Sequence, residues 1–366
     1  MDIVYISSID WDFSWHRQQE MMDFLAKRGF RVLFVEPCSK KHPFSKRFIA
    51  EKENVWRLRP CGLPYERCLR SVHKLNSTIS RREILRAAEQ LRFCDPIIWL
   101  DRVHGFDYAF FQAEHFVIYD LIDEILAFGR VRNEKMLLTL ENQVLQHADL
   151  LLSSSQTLLK RKLQQSGRKG KSLFIPNGVD CGRFQDILQK TSHQKPIIGF
   201  VGNISKRCLN YDVIQKVAQK RPGWIFKFVG PGSEEDRKNL QGLAPNIQVM
   251  PPVSGEKIPK IIEEFDIGMI PYNVEKKDMD YVFPRKACEY LAAGKPVIST
   301  PLSEVEVLHP YIQIAEDADE FENKIEQELH SKVTGAQRKK FAQYFDWTDL
   351  MEKVIQELSL VNKPHS

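Results

Sequence analysis

Short apolar runs rich in β-branched residues alternate with helical patterns along almost the whole chain. In the first half, such runs predict buried strands at 2–9, 31–37, 96–101, 115–121 and 149–155. In the second half, the same pattern predicts strands at 195–204, 225–232, 246–253, 265–272 and 295–300. Strands that alternate with helices form mostly parallel sheets that helices cover on both faces. The sequence therefore predicts an α/β protein with two doubly wound sheets in series.

The boundary between the two halves is predicted in the polar, turn-rich segment 175–196. It gives a first domain at 1–182 and a second at 193–345, each of ordinary size for a domain. The chain closes with an apolar helical pattern at 346–360, for which Asp346 is the expected N-cap.

Cysteine usage and the N-terminus indicate a soluble protein of the cytoplasm. The seven cysteines are odd in number and form no CxxC pair, which favours reduced thiols over a disulfide framework or a zinc site. The N-terminus lacks a basic region and a long apolar run, so no signal peptide is expected. No window approaches the ~18 apolar residues of a membrane span.

Positive charge is concentrated in residues 39–92, which hold fourteen Lys or Arg against five Asp or Glu in a chain of formal net charge +5. The segment 77–93 reads as a helix in which cations stand beside apolar residues. The cations are Arg81, Arg82, Arg86 and Arg92; the apolar residues are Ile79, Ile84, Leu85 and Leu91. This composition is typical of an interfacial helix on anionic lipid, and the alternative is a solvated basic face. Nucleic acid fits less well, because no aromatic residues are interleaved with the charges.

The segment 283–300 predicts a short helix that could bind an anion at its N-terminus. Pro284 is suited to the first helical position, and Gly294 is suited to the end. Arg285 and Lys286 fall in the first turn, where the helix dipole disfavours cations unless an anion is also present. Glu289 lies one turn after Lys286, so the alternative is a simple intrahelical Lys–Glu pair.

A second glycine turn, at 200–207, follows the first predicted strand of the second half. Gly202 permits a close backbone approach, and Lys206 and Arg207 could bind phosphate oxygens. The alternative is an ordinary turn followed by surface charges.

In combination, these segments resemble nucleotide-sugar glycosyltransferases with the GT-B fold, in the glycosyltransferase family 4 group. "PRKACEYLAAGKPVIST" is similar to the family's P-x-K-x-x-E-Y-x-A-x-G-x-P-V-V segment. "LLLSSSQTLLKRK" followed by "IPNGVDCGRF", "IGFVGNISKR" and "IPKIIEEFDIGMIPY" also fit, in the right order and over nearly the whole chain. The match is closest to bacterial surface-polysaccharide members of the teichuronic acid type. The resemblance implies two Rossmann-like domains that face a cleft, with the last helix, 346–366, crossing back to the first domain.

The resemblance implies that the second domain binds the nucleotide diphosphate. Glu289 matches the glutamate that binds the ribose hydroxyls, and Lys286 and the helix N-terminus would hold the diphosphate. The wider nucleotide-sugar site is expected to include Gly202, Asn203, Lys206, Arg207, Val253, Tyr281 and Arg285. A metal-independent reaction without a cofactor is expected, because no D-x-D motif is placed to bind a divalent ion; the nearest, at 278–280, reads as a solvated loop.

One position departs from the family. Many members carry E-x7-E, and the residue eight before Glu289 is Tyr281, with Asp280 beside it. The glutamate that contacts the donor sugar is therefore missing or replaced.

On the acceptor side, the resemblance points to "YDLIDE" (119–124). Asp120 matches the position at which related enzymes carry a catalytic or substrate-binding His or Asp, and Asp123 is the second candidate. Either carboxylate could accept a proton in an inverting reaction or stabilise the transition state in a retaining one, and at least one could instead cap a helix. Further residues expected near the acceptor are Asp10, Asp12, Trp15, Arg17 and His104.

The function predicted from the sequence is transfer of a sugar from a nucleotide-diphosphate sugar, with UDP as the expected nucleotide, to a lipid-linked or saccharide acceptor. The expected location is the cytoplasm, with peripheral attachment to the inner face of the cell membrane. Alternatives are a GT-B epimerase or phosphorylase, and an inactive GT-B protein that binds a nucleotide sugar or glycan as a partner subunit. A dinucleotide-dependent oxidoreductase is disfavoured, because no G-x-G-x-x-G follows the first strand of either half.

Overall fold

The computed structural model describes residues 1–13, 15–38, 47–63, 69–107, 115–126, 133–187, 194–275 and 277–361. The chain divides into two compact units. Unit 1 comprises Met1–Pro176 and Met351–Ser366, and unit 2 comprises Asn177–Leu350. The division after Pro176 falls inside the segment in which the sequence places the domain boundary.

Unit 1 contains, within its described residues, an eight-stranded sheet of order β3-β4-β2-β1-β5-β6-β7-β8. All neighbouring strands are parallel except the β3–β4 pair, which is antiparallel. The strands are β1 (Asp2–Ile6), β2 (Arg31–Val35), β3 (Arg47–Lys52), β4 (Val55–Arg59), β5 (Ile97–Leu100), β6 (Val117–Leu121), β7 (Leu150–Ser153) and β8 (Lys171–Phe174). The helices are α1 (Arg17–Lys27), α2 (Arg70–Gln90), α3 (Glu134–His147) and α4 (Gln156–Ser166), with a short 3-10 helix at Val103–Asp107.

Unit 2 contains a parallel sheet of order β11-β10-β9-β12-β13-β14 within the described part of the chain. The strands are β9 (Ile197–Val201), β10 (Ile225–Val229), β11 (Ile247–Met250), β12 (Ile267–Ile270), β13 (Val297–Ser299) and β14 (Ile312–Ile314). The helices are α5 (Tyr211–Lys220), α6 (Glu234–Gln241), α7 (Ile258–Glu263), α8 (Arg285–Ala292), α9 (Ala318–Leu329) and α10 (Gly335–Ala342). Short 3-10 helices lie at Cys181–Phe184, Gly255–Lys257, Lys277–Tyr281, Ser303–Leu308 and Gln343–Phe345.

The last helix, α11 (Trp347–Val361), begins in unit 2 and belongs to unit 1 from Met351 onward. Its apolar side chains Met351, Val354 and Leu358 are fully buried, as helical spacing predicts. Asp346 precedes the helix and accepts a hydrogen bond from the backbone of Thr348 at 2.8 Å.

The predicted fold class is confirmed, and every strand that the sequence predicts is present. The central strands are buried along their whole length because helices cover both faces, which is why they read as continuous apolar runs. The sequence analysis missed β3, β4, β8 and β14. Three of these lie at a sheet edge, and β4 carries the buried cation Arg57, so none of them shows an uninterrupted apolar run.

Each sheet has a point at which the strand order reverses. In unit 1 the chain leaves β1 toward β2 and later returns on the other side of β1 with β5; in unit 2 the same reversal separates β9 from β12. In open α/β sheets, ligands bind beyond the carboxyl ends of the strands at such switch points. The loops that follow β1, β5, β9 and β12 are therefore where a site is expected.

Candidate functional site

The loops after β9 and β12 are joined to each other at the switch point of unit 2. Backbone hydrogen bonds connect Asn210 N to the carbonyl of Pro271 at 2.8 Å and Asn273 N to the carbonyl of Cys208 at 2.9 Å. Thr300 Oγ1 donates to the carbonyl of Tyr272 at 3.0 Å and so positions that tyrosine. The two loops form one stable surface at the end of the sheet.

Two glycines allow the chain to pass very close to itself at this surface. Gly202 and Gly230 have φ of 150° and 154°, values that residues with a side chain rarely adopt. A Cβ on Gly230 would lie 2.0 Å from the carbonyl oxygen of Gly202, and a Cβ on Gly202 would lie 2.9 Å from Cε of Lys286. The glycine turn and Lys286, both of which the sequence analysis predicts for the nucleotide-sugar site, are therefore close neighbours.

Helix α8 begins immediately beside this turn. Pro284 is its N-cap rather than its first residue, which shifts the predicted start by one position. The helix ends before Gly294, whose φ of 74° matches the predicted stop. Lys286 Nζ lies 4.6 Å from the ring centre of Tyr272 and 5.1 Å from that of Phe200, and it donates a hydrogen bond to the hydroxyl of Tyr272. An ammonium group thus stands in the switch-point crevice next to a helix N-terminus.

Glu289 pairs with Arg285 and not with Lys286. Its Oε1 accepts a hydrogen bond from Arg285 Nε at 3.0 Å, four residues earlier on the same helix. The predicted alternative, an intrahelical pair of Lys286 with Glu289, is therefore not what forms: Arg285 takes the place of the lysine, and Lys286 is directed toward Tyr272. Both side chains of the Arg285–Glu289 pair remain partly exposed and accessible to a ligand.

The remaining residues predicted for nucleotide-sugar binding lie on three loops of unit 2. Asn203, Lys206 and Arg207 are exposed on the loop after β9. Lys206 and Arg207 line a surface pocket of about 490 Å³ together with residues of the β12 loop and the start of α5. Val253 follows the edge strand β11, and Tyr281 ends the 3-10 helix that precedes α8.

In unit 1, Asp120 is fully buried at the end of β6 and forms an ion pair with Arg17. Arg17 Nε lies 3.0 Å from Oδ2 and Arg17 Nη2 lies 3.0 Å from Oδ1, so both carboxylate oxygens accept hydrogen bonds from one guanidinium. A carboxylate held in this way is poorly suited to accept a proton from a substrate. Asp123, by contrast, is exposed just after β6.

Asp10 and Asp12 join a cluster of charges around the β3–β4 hairpin. Arg57, which is buried, donates to Asp12 at 2.6 Å and to Glu36 at 2.8 Å, and Asp10 lies 3.3 Å from Arg59. The hydrogen bond from Arg57 lowers the pKa of Asp12, so this carboxylate is charged at neutral pH.

Trp15 and His104 lie in different surroundings. Trp15 is 43% exposed and contacts the ring of Trp11 edge-on at 5.7 Å between ring centres. His104 is buried in the 3-10 helix after β5, with its ring centre 5.4 Å from that of His73 on α2.

One acidic residue at the switch point of unit 1 was missed by the sequence analysis. Asp101 follows β5, and its carboxylate accepts hydrogen bonds from Ser8 N at 2.6 Å and from Gln18 Nε2 at 2.8 Å. Burial of the carboxyl raises the pKa of Asp101 to about 6. The segment "WLDRVHG" contains a signal, a carboxylate directly after a buried strand, but only His104 was selected from it.

Helix α2 presents a basic face, defined here by Lys74, Leu75, Arg81, Arg82, Leu85 and Arg86, all of which are exposed. Ile84 was expected on this surface, but it is fully buried against the unit. Arg92 follows the helix and is also exposed. In the part of the chain that the structure describes, no helix is long and apolar enough to span a membrane.

Part of the chain matches a known sequence family. Residues 195–331, most of unit 2, match the family described as Glycosyl transferases group 1. A candidate teichuronic acid biosynthesis glycosyltransferase of Bacillus subtilis (strain 168), TuaH, is 32% identical over 191 residues. That match covers 49% of this chain and 47% of TuaH, so the chain spans about half the length of this curated relative.

Solved structures share the fold over the full length. Sucrose-phosphate synthase from Thermosynechococcus elongatus superposes with a TM-score of 0.76 at 14% identity and covers 99% of both chains. HepE of Anabaena, solved in complex with UDP, superposes with a TM-score of 0.69 at 16% identity and covers 98% of this chain and 100% of its own. At these identities the likeness establishes the two-domain fold.

Proposed function

We propose that this chain, which has the GT-B fold, is a glycosyltransferase that transfers a sugar from a UDP-linked donor to a saccharide or lipid-linked acceptor in surface polysaccharide synthesis. The observation that carries the proposal is the contact of Gly202, Lys286 and the start of α8 at the switch point of unit 2. The group 1 family match covers the same unit. The name of TuaH and the UDP complex of HepE support the substrate class.

The donor's diphosphate is assigned to Lys286 and the N-terminus of α8. The first turn of a helix offers unpaired N–H groups and a positive dipole end, and an adjacent ammonium adds a full charge. Close packing of Gly202 against Gly230 keeps side chains away, so that phosphate oxygens can approach the backbone. Together these groups favour the leaving nucleoside diphosphate as its negative charge develops.

The ribose is assigned to Glu289. A carboxylate accepts hydrogen bonds from two neighbouring hydroxyl groups at once. Its Oε1 is held by Arg285, which fixes the rotamer and leaves Oε2 for a ligand. Lys206 and Arg207, which line the pocket beside the β12 loop, are assigned to the outer phosphate oxygens.

We further propose that transfer is independent of a metal ion. Lys286, Lys206, Arg207 and the α8 N-terminus supply the positive charge that a divalent cation provides in other phosphate sites. The chemistry of these donors suits the diphosphate directly.

Peripheral membrane attachment is proposed for the basic face of α2. Its residues are spaced three, four and seven apart, so they project to one side of the helix. The four cations of this face favour anionic headgroups by about 1 kcal/mol each, and Leu75 and Leu85, both 48% exposed, can enter the interface. Such attachment would bring a lipid-linked acceptor to unit 1.

An inactive nucleotide-sugar-binding protein is the second candidate, and it is favoured by Tyr281 at the position of the family's first glutamate. A turnover assay separates the two functions. The purified chain is incubated with UDP-, GDP- and ADP-sugars, with saccharide or polyprenyl-phosphate-linked acceptors, and with or without EDTA. We expect acceptor-dependent release of UDP that EDTA does not reduce. Tight UDP binding without release under any acceptor would favour the inactive protein, and a loss of activity that Mg²⁺ or Mn²⁺ restores would overturn the metal-independent mechanism.

A further inference from the structure

We propose that Tyr272 binds the donor's diphosphate together with Lys286: its hydroxyl group accepts a hydrogen bond from the lysine and donates its own proton to a phosphate oxygen. This inference rests on the proposed function and deepens it, because it adds to the nucleotide site a residue that the sequence does not single out. Tyr272 lies in the loop after β12, at the switch point of the second sheet. Ligands of open α/β sheets bind at such loops.

The hydroxyl group of Tyr272 has a proton to offer. A phenolic hydroxyl can donate one hydrogen bond and also accept, whereas an ammonium group only donates. Lys286 Nζ donates to the hydroxyl of Tyr272, so the tyrosine oxygen is the acceptor in this bond. Among the residues that the structure describes, no acceptor takes the proton of this hydroxyl in return. Tyr272 and Lys286 are both partly exposed, which leaves the pair open to a ligand.

Lys286 is held by neutral groups, so its charge is available to an anion. Its Nζ lies 4.6 Å from the ring centre of Tyr272 and 5.1 Å from that of Phe200, which are cation–π distances. It forms no ion pair with a carboxylate in the described part of unit 2, and Glu289 on the same helix binds Arg285. Two aromatic rings and a hydroxyl orient the ammonium group without cancelling its charge. A diphosphate would supply the anion that this arrangement lacks.

Tyr272 itself is fixed in place. A β-bridge pairs it with Leu209 of the loop after β9. Thr300 Oγ1 donates a hydrogen bond to its carbonyl at 3.0 Å. Its ring meets the ring of Phe200 at a steep angle, with 6.3 Å between the ring centres. A side chain that is already ordered loses little conformational entropy when it binds a ligand, so the hydroxyl group is preorganised.

The pair lies beside the other groups assigned to the diphosphate. A Cβ on Gly202 would lie 3.3 Å from Lys286 Nζ, so the ammonium group stands against the glycine turn. Lys286 is also the second residue of α8, whose first turn has unpaired N–H groups. Asn273, which follows Tyr272, lines the surface pocket that contains Lys206. A phosphate oxygen here would meet an ammonium and a hydroxyl donor together, and both hydrogen bonds strengthen as negative charge develops on the leaving diphosphate.

The test removes the hydroxyl group alone. Tyr272→Phe keeps the ring, and with it the packing against Phe200 and the cation–π contact with Lys286. In calorimetric titration of the full-length chain, we expect this variant to bind UDP about tenfold more weakly or worse, as for a lost hydrogen bond to a charged group. Its affinity for uridine, which carries no phosphate, should equal that of the unaltered chain. Tyr344→Phe, at a tyrosine of the same unit that is 67% exposed, is the matched control and should leave both affinities unchanged.

A second comparison separates donation by Tyr272 from positioning of Lys286. If the hydroxyl group itself binds the diphosphate, adding Tyr272→Phe to Lys286→Ala should weaken UDP binding further, by about threefold or more. If the hydroxyl group only holds the lysine, the added change should have no effect, and that result would overturn the donor role. An equal loss of UDP and uridine affinity in Tyr272→Phe would overturn it as well, because the defect would then be structural.

The outcome also distinguishes this inference from the function on which it rests. If the unaltered chain binds no UDP, the proposed function itself fails, and Tyr272 loses its role with it. If the unaltered chain and Tyr272→Phe bind UDP with the same affinity, only the role of Tyr272 is overturned.

Discussion

Arg17 and Asp120 form a buried, bidentate ion pair that joins the first residue of α1 to the end of β6. The Nε–Oδ2 and Nη2–Oδ1 distances are both 3.0 Å, and Arg17 Nη1 also donates to the carbonyl of Ile175 at 2.7 Å. Asp120 was predicted as a catalytic carboxylate and Arg17 as a residue near the acceptor. The geometry gives the pair a structural role, because one guanidinium connects a helix, a strand and the chain segment that leaves the sheet.

Removing the cation of this pair should destabilise the protein strongly. Arg17→Met leaves the Asp120 carboxylate buried without a partner, which costs about 3–5 kcal/mol of unfolding free energy. The double variant Arg17→Met/Asp120→Leu should regain a large part of the loss, because no buried charge remains. Urea unfolding followed by circular dichroism measures both. Arg82→Met on the exposed face of α2 serves as control and should change stability by less than about 0.5 kcal/mol. A loss below 1 kcal/mol for Arg17→Met would show that the pair is not structural.

Asp101 should make folding stability depend on pH in an unusual direction. Its pKa rises from 3.8 to about 6 on folding, so the folded state holds the proton more tightly than the unfolded state. Its contribution to stability is therefore present below pH 3.8 and is lost as the pH rises to about 6.

The difference in unfolding free energy between the unaltered chain and Asp101→Asn isolates this effect, because other groups such as Asp12 titrate in both proteins. As the pH rises through that range, we expect the unaltered chain to lose about 1–3 kcal/mol of unfolding free energy relative to Asp101→Asn. Urea unfolding at a series of pH values measures it. A difference that does not vary with pH would mean that Asp101 has an ordinary proton affinity.

The glycine turn of unit 2 should not tolerate a side chain. In Gly230→Ala the new methyl group would lie 2.0 Å from the carbonyl oxygen of Gly202, so the turn must open. We expect a loss of at least about tenfold in UDP affinity by calorimetry. Gly223→Ala is the matched control, because nothing lies within 4 Å of its added methyl group and its φ is ordinary. Equal UDP affinity of the two variants would show that the glycine turn is not part of the nucleotide site.

The basic face of α2 should bind anionic vesicles in a salt-dependent way. Replacing Arg81, Arg82 and Arg86 by Gln removes three positive charges, at about 1 kcal/mol each near an anionic surface. In flotation with phosphatidylserine-containing vesicles, we expect most binding to disappear in this variant and in high salt. The same change at the exposed residues Lys216, Lys220 and Lys238 of unit 2 is the control. Equal flotation of the two triple variants would argue against α2 as the attachment site.

The sequence predicts those features of the structure that depend on neighbouring residues, and it misses those that depend on partners distant in the chain. The strands β1, β5, β6 and β7 are buried on both faces, so their burial is visible in the local pattern of apolar residues. Strand β4 is not visible in this way, because its buried Arg57 is compensated by Glu36 and Asp12, which come from other parts of the chain.

The same distinction applies to the sites. Lys286, Glu289 and Gly202 lie in short segments whose spacing predicts a role in binding. The hydrogen bond of Asp101 with Ser8 depends on the adjacency of β1 and β5, which are separated by about ninety residues, and the ion pair of Asp120 depends on Arg17, which is equally distant in sequence. Contacts between residues so distant in sequence can be recognised only when the strand order is known.

The central claim is that unit 2 binds a nucleoside diphosphate through Lys286 and Glu289, and calorimetric titration of UDP tests it most directly. The unaltered chain should bind UDP, and Lys286→Ala and Glu289→Ala should each weaken binding at least about tenfold, as expected for a lost charge-assisted hydrogen bond. Lys238→Ala, which removes an exposed lysine of α6 in the same unit, should bind like the unaltered chain. Unchanged UDP affinity in both Lys286→Ala and Glu289→Ala would contradict the account.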